Sequence, residues 1–291
     1  MAPREQARHW EHPGLPGVDL LHARYIRHTF SRHAHDGYVV AAVTSGVEAV
    51  GLPGGDRHAG AGGVVLLNPE TPHTAYAGSE DGWSYRVLYP ARSVVASVAA
   101  ETSALRGTPA FSATVLDDPA TARMIADVHR AAEHDNPLAA DTLLRLVLAR
   151  LLARHGTAVA AAEPDGQGAG GGPRAAAQAR DLLAASLVEP PSLEQLAAET
   201  GVSPFALLRS FKKAYGLPPH AWLTGERVSA ARRLLDAGAS PADTAAAVGF
   251  TDQPHLNRHF SRIVGVPPGA YQRERKNVQD LPRAAALPSA G

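Results

Sequence analysis

Three histidines stand at spacings that can do chemistry. His33-Ala34-His35 is a His-x-His pair. On a strand, side chains alternate with period two, so both rings fall on one face. His73 comes 38 residues after His35, behind the strand-and-turn sequence Gly-Gly-Val-Val-Leu-Leu-Asn-Pro. Three imidazoles can hold zinc or iron. They serve equally well as the polar rim of a small-molecule pocket, or as partners in structural hydrogen bonds. The expectation taken here is a pocket without metal or other cofactor, lined by His33, His35, Tyr38, His73 and Trp83. Arg24 and Arg86 could clamp a carboxylate bidentately, or could be inert surface cations.

A second constellation is basic and repeated. Phe211-Lys-Lys-Ala-Tyr-Gly-Leu-Pro-Pro-His-Ala-Trp222 returns 49 residues later as Phe260-Ser-Arg-Ile-Val-Gly-Val-Pro-Pro-Gly-Ala-Tyr271. The shared frame implies two copies of one helical module of about 50 residues. Upstream of each lies a helix–turn–helix pattern. In the first, a helix over 193–200 ends at Gly201, and a helix over 204–215 follows with Leu207 and Phe211 toward its core. In the second, 241–248 ends at Gly249 and 253–264 follows with Leu256 and Phe260. A second helix held this way can enter the major groove of a duplex. Its outward side chains would be Phe205, Leu208, Arg209, Lys212 and Lys213 in the first copy, and Gln253, Pro254, Asn257, Arg258 and Arg262 in the second. Gln and Asn suit adenine and Arg suits guanine. Lys212, Lys213 and Arg262 lie further along and are better placed for phosphates. Taken singly, each cation could equally be part of a solvated helix face.

The elements that must carry these residues follow from the pattern of the chain. Its 291 residues suit about two domains. Net charge is zero by cancellation: residues 1–173 hold 14 Lys and Arg against 18 Asp and Glu, whereas residues 174–277 hold 13 against 9. An acidic half joined to a basic half hints at a nucleic-acid partner. With no cysteine, the chain has no disulfide, thiolate zinc site, iron–sulfur cluster or cysteine nucleophile. No apolar run is long enough to span a membrane, and the first residues carry no signal-peptide core, so a cytoplasmic protein is expected. Short apolar runs over 38–46, 47–56, 62–72 and 83–90 read as strands of an antiparallel sandwich or barrel. Over 118–155 the period turns helical. Leu144, Leu148, Leu151 and Leu152 form one stripe there, which either packs on the β-domain or meets a second copy. Helix starts are marked by the capping box Ser192-x-x-Gln195, by Ser203-Pro204 and Ser240-Pro241, and by Asp252. Residues 156–173, Gly- and Ala-rich, read as a flexible linker between a domain over 1–155 and one over 174–277, and 278–291 as a disordered tail.

With those residues in view, 175–276 resembles the DNA-binding domain of AraC/XylS-type transcription regulators. The resemblance is carried by SLEQLAAETGVSPFALLRSFKKAYGLPPHAWL, ERVSAARRLL and PADTAAAVGFTDQPHLNRHFSRIVGVPPGAY. It implies two helix–turn–helix units joined by a long helix over 219–236. Base contacts would then come from Phe205, Leu208, Arg209, Gln253, Pro254, Asn257 and Arg258. Leu208 and Pro254 stand where polar readers are common. Residues 22–90 look like the cupin-like effector-binding domain of such regulators, a jelly-roll β-barrel with trailing helices. The cupin pattern adds a Glu soon after His-x-His, but Tyr38, Val39 and Val40 stand there instead, so a fourth ligand is missing. The fold class implied is α+β in two domains. The implied function is effector-controlled, sequence-specific DNA binding without catalysis, with duplex DNA, a small molecule, a second copy of the chain and RNA polymerase as partners. The competing reading is a cupin-type metalloenzyme with a helical appendage.

Overall fold

The computed structural model of the protein describes residues 5–159 and 171–279. The N-terminal half runs β1 (Gln6–Glu11), β2 (Val18–Tyr25), β3 (Thr29–His33), β4 (Val39–Leu52), β5 (Gly55–Gly60), β6 (Gly63–Leu67), β7 (His73–Ala77) and β8 (Trp83–Pro90). It continues with α1 (Arg92–Thr102), β9 (Thr108–Phe111), β10 (Val115–Asp117), α2 (Pro119–Glu133), α3 (Pro137–His155) and β11 (Gly156–Val159). The C-terminal half is helical: α4 (Gly171–Ala185), α5 (Leu193–Thr200), α6 (Pro204–Tyr215), α7 (Pro219–Asp236), α8 (Pro241–Ala247), α9 (Gln253–Val264) and α10 (Pro268–Gln279).

All pairings among the described strands are antiparallel. One layer runs β1-β2-β8-β4-β6-β10, and the other sets β3, β7 and β5 around the far end of β4. Strand β4 belongs to both. Val39–Ala42 pair with β6, whereas Val47–Leu52 pair with β5. The runs read from sequence as separate strands over 38–46 and 47–56 are therefore one bent strand. The bend is local chemistry: the register against β8 shifts between Val43 and Ser45, and Gly46 adopts a positive φ of 71°. A Cβ at Gly46 would lie 2.0 Å from the Gly82 carbonyl oxygen, so only glycine fits. The result is jelly-roll-like, and the ladder does not close into a full barrel among the described residues.

Alternation along β4 feeds two cores. Val40 and Ala42 join Leu20, Leu66 and Leu88 against α2 and α3, while Val39, Ala41 and Val43 face inward between the layers with Phe30, Val87 and Trp83. The leucine stripe of α3 lies wholly in the first core, each of Leu144, Leu148, Leu151 and Leu152 being at most 3% exposed. Each contributes about 1.5–3 kcal/mol by burial. The stripe packs on the β-domain and is unavailable to a second copy.

Where a linker was expected from Gly156, β11 first pairs with β9. Residues 160–170 of that expected linker lie outside the described residues. Helix α4 then begins at Gly171, ahead of the expected boundary at 174, and α10 continues to Gln279. The rest of the expected tail lies outside the described residues. Two cores serve the helical half. Leu207 and Phe211 pack with α4, α5 and Leu223 of α7, and Leu256 and Phe260 pack with α8, Tyr271 and the far end of α7. Helix α7 thus ties both units together. Ala175, Ala179 and Leu183 of α4, spaced i, i+4, i+8, form a buried face in low-complexity sequence.

Candidate DNA interface and effector cavity

Each helix–turn–helix unit is built by local signals. Ser192 and Gln195 form a reciprocal capping box, Gly201 takes the left-handed conformation at φ 69°, and the Ser203 hydroxyl accepts from the Ala206 amide. In the second unit, Ser240 caps α8, Gly249 turns at φ 84°, and the Asp252 carboxylate accepts from the His255 amide at 2.7 Å. These devices aim the start of α6 and α9 outward. Phe205 is 79% exposed, an unusual cost for a large apolar ring without a partner. Arg209, Lys212, Lys213, Gln253, Pro254, Arg258 and Arg262 are exposed, whereas Leu208 and Asn257 are half-buried. Among the described residues none of the five cations forms an ion pair.

The opposite ends of both helices meet the N-terminal half. At Gly216, just past α6, a Cβ would lie 2.6 Å from Pro72. Lys212 and Lys213 border a cleft that also takes in Asp36, Glu70 and Pro72. At the end of α9, Ile263 enters the wall of an N-terminal cavity, and the Gly265 carbonyl accepts a hydrogen bond from the Tyr25 hydroxyl at 2.8 Å.

That cavity is small, about 30 Å³, and lies between the two β-layers. His33, His35 and His73 line it with Phe30, Glu48, Tyr85 and Tyr89. Burial holds His33 down at about 4 and His73 at about 3, with like charge from His33 adding to the latter, and His35 is also well below its ordinary value. All three are neutral at physiological pH. Burial pushes the Glu48 carboxyl up to about 8, and its Oε2 has no hydrogen-bond partner among the described residues.

Two expected lining residues are elsewhere. Tyr38 belongs to the opposite face of β4's layer, where its hydroxyl donates to the Pro109 carbonyl at 2.5 Å. The alternation that brings Val39 inward sends Tyr38 outward. Trp83 is buried between Tyr25 and Tyr85, in the wall behind the cavity. Arg86 is paired with Glu133 at 2.8 Å and Arg24 is exposed, so neither offers a clamp there. Sequence reading missed Glu48, Phe30, Tyr85, Tyr89 and Ile263. The signal for Glu48 was a lone carboxylate inside an apolar strand, Val47-Glu48-Ala49-Val50.

A buried ionic cluster joins the halves. Asp19 of β2 pairs with Arg232 of α7 and, at 2.8 Å, with Arg275 of α10; Arg275 also pairs with Glu11 and with Asp236. Burial alone would raise the Asp19 carboxyl, but the guanidiniums and His9 outweigh it and hold it well below the carboxylate range. His9 packs between Tyr89 and Tyr271, with centroids 5.9 and 5.1 Å away.

Known proteins are similar to this chain in domain content and in fold. Residues 15–148 match the model of the AraC-like ligand binding domain, and residues 196–274 match a helix-turn-helix domain. The HTH-type transcriptional regulator YbfI of Bacillus subtilis is 26% identical over 243 residues, covering 82% of this chain and 86% of that protein. The HTH-type transcriptional regulator MtrA of Neisseria gonorrhoeae is 32% identical over 84 residues, 28% of each chain. In fold, the chain is similar to ToxT of Vibrio cholerae, with a TM-score of 0.55 at 11% identity over 93% of this chain and 97% of that one. ToxT bound to an unsaturated fatty acid gives a TM-score of 0.55 at 12% identity, covering 94% and 96%. YbfI and MtrA are transcriptional regulators, not enzymes. No helix among the described residues is long and apolar enough to cross a membrane. With a ligand-binding β-domain joined to paired helix–turn–helix units, the chain belongs to the AraC-type transcription regulators.

Proposed function

We propose that the chain binds duplex DNA sequence-specifically through α6 and α9, under control of a small molecule held in the N-terminal cavity. The observation that carries this is the pair of matched helix–turn–helix units whose leading ends are exposed and basic, with no ion pair to their cations among the described residues. Phe205, Leu208 and Arg209 of α6 and Gln253, Pro254, Asn257 and Arg258 of α9 face base edges. Lys212, Lys213 and Arg262 meet phosphates, which fix register and supply salt-dependent affinity. Leu208 and Phe205 favour apolar contact with thymine methyls. The effector touches His33, His35 and His73, with Tyr38 and Trp83 supporting the walls from behind. The fatty acid of the ToxT complex has a carboxylate to neutralise, but among the described residues no Lys or Arg lines the cavity here. Its effector therefore differs from a simple fatty anion bound within the β-domain.

Two domains, over 1–155 and 174–277, carry sensing and DNA binding. A second copy and RNA polymerase complete the assembly, and the site of action is the cytoplasm. Because the α3 leucines are buried, a dimer must use another surface. The test is a footprint of the full chain on its own upstream DNA at two salt concentrations. Protection of about two helical turns per protomer, weakening steeply with salt, is expected. Uniform, sequence-independent protection would refute the reading.

A further inference from the structure

The histidines of the cavity are arranged as more than a polar rim. One ring nitrogen from each of His33, His35 and His73 lies within 4.8 Å of the others. Two rings are oriented from behind. His33 Nδ1 lies 2.6 Å from the Ser31 carbonyl oxygen, and His73 Nδ1 lies 2.9 Å from the Thr71 carbonyl oxygen. A carbonyl only accepts, so each Nδ1 carries the proton and each Nε2 keeps its lone pair. Such backbone anchoring of the distal nitrogen is what fixes the tautomer of metal-binding histidines. The lone pair of His33 Nε2 lies 3.1 Å from His35 Nε2. Two nitrogens bound to one zinc at 2.0–2.1 Å in tetrahedral array stand about 3.3 Å apart. The closest pair is therefore already at ligand spacing.

The charge around the site leaves room for a cation. Among the described residues no Lys or Arg lines the cavity, so its wall carries no fixed positive charge. Glu48 lines the same space, is only 4% exposed and keeps one carboxylate oxygen without a partner. A lone carboxylate in an apolar cavity is costly unless it is neutral or paired. Glu48 lies outside the three-nitrogen cluster, so it would balance charge across the cavity.

We propose that His33, His35 and His73 bind a divalent first-row transition-metal ion of the zinc, iron, cobalt or nickel class, with its remaining coordination positions open toward the Glu48 side of the cavity. Imidazole ligands select that class over magnesium or calcium, and three protein ligands leave room for water or a donor atom of a small molecule. The site deepens the effector reading, since it uses the same three histidines, and it is tested without DNA, so its failure leaves the DNA-binding reading standing.

The experiment uses the full chain without an affinity tag, stripped with a chelator and titrated with Co(II). Visible d–d bands saturating at one ion per chain and bleached by Zn(II) are expected. His35→Gln and His73→Gln should each lose the bands while keeping the native circular dichroism. The competing surface pair, His255 and His259 on α9, has ring centroids 4.9 Å apart. The double variant His255→Gln/His259→Gln should keep the bands. Absence of bands, bands that survive in both cavity variants, or bands lost with the α9 pair would each overturn the proposal. Stabilisation by an organic ammonium with no Co(II) signal would do the same. Should the cavity variants fail to fold, X-ray absorption of the zinc-loaded wild type decides. Three imidazole nitrogens at about 2.0–2.1 Å support the site, and fewer refute it.

Discussion

Single side chains in this protein divide by what they would lose on substitution. Arg258 is exposed on α9 and forms no ion pair among the described residues, so truncation should leave the fold intact and remove a base reader. Arg258→Ala should cost about 1–3 kcal/mol on a cognate site and relax one base position. Lys212→Ala should weaken all sequences alike and flatten the salt dependence by about one unit. A selection of bound sequences from a random pool, repeated at several salt concentrations, separates the two. His9 is the opposite case, a buried ring at the junction of the halves. Burial, with help from Arg232 and Arg275 and against Asp19, holds it at about 3 in the folded chain. Unfolded it titrates near about 6.5, so its contribution is complete above that pH and is lost as pH falls toward about 3. Each pH unit in that window costs about 1.4 kcal/mol for this residue. His9→Phe should therefore flatten the fall in thermal stability between about pH 6.5 and about pH 5 by close to one proton. An unchanged slope would show that the ring does not sense pH.

At the scale of elements, two features depend on single positions. The bend of β4 depends on Gly46, where a Cβ would meet Gly82 and φ is positive. Gly46→Ala should destabilise the β-domain by about 1–3 kcal/mol or more, whereas Gly54→Ala, with open space around it, should be close to neutral. Thermal unfolding of the two variants gives the comparison. Helix α6 depends on its cap. Ser203→Ala removes the acceptor for the Ala206 amide and should cost about 1 kcal/mol, read as weaker protection of only the half-site that α6 contacts.

The whole molecule is held together by charge at its waist. Arg275 is 5% exposed, and Asp19 is the carboxylate it shares with Arg232. Removing one member of a buried pair strands the other, at about 3–5 kcal/mol. Asp19→Asn should loosen the DNA-binding half from the β-domain and free the end of α9 from Tyr25 and the cavity wall. Faster proteolysis of the full chain and altered DNA affinity are the expected outcomes. An identical digestion pattern and footprint would mean that apolar contacts alone hold the halves.

The sequence by itself determined the helical half almost residue by residue. Caps, left-handed glycines and i, i+4 core pairs act over a few residues, so the bounds of α5, α6, α7 and α9 were legible. The same local logic found the histidines, since a His-x-His pair shares a face wherever a strand forms. Tertiary structure decided what distance along the chain conceals. The bend at Gly46 carries one strand into two layers and brings Glu48 into the cavity, while the pleat that turns Val39 inward turns Tyr38 away from it. The α3 leucines became core because a sheet covered them, a fact no helical period records. The junction of Asp19 with Arg232 and Arg275 joins residues more than two hundred positions apart. So does the insertion of Ile263 beside His33. Such pairings are set by how two finished domains fit, and no short-range pattern in the chain encodes them.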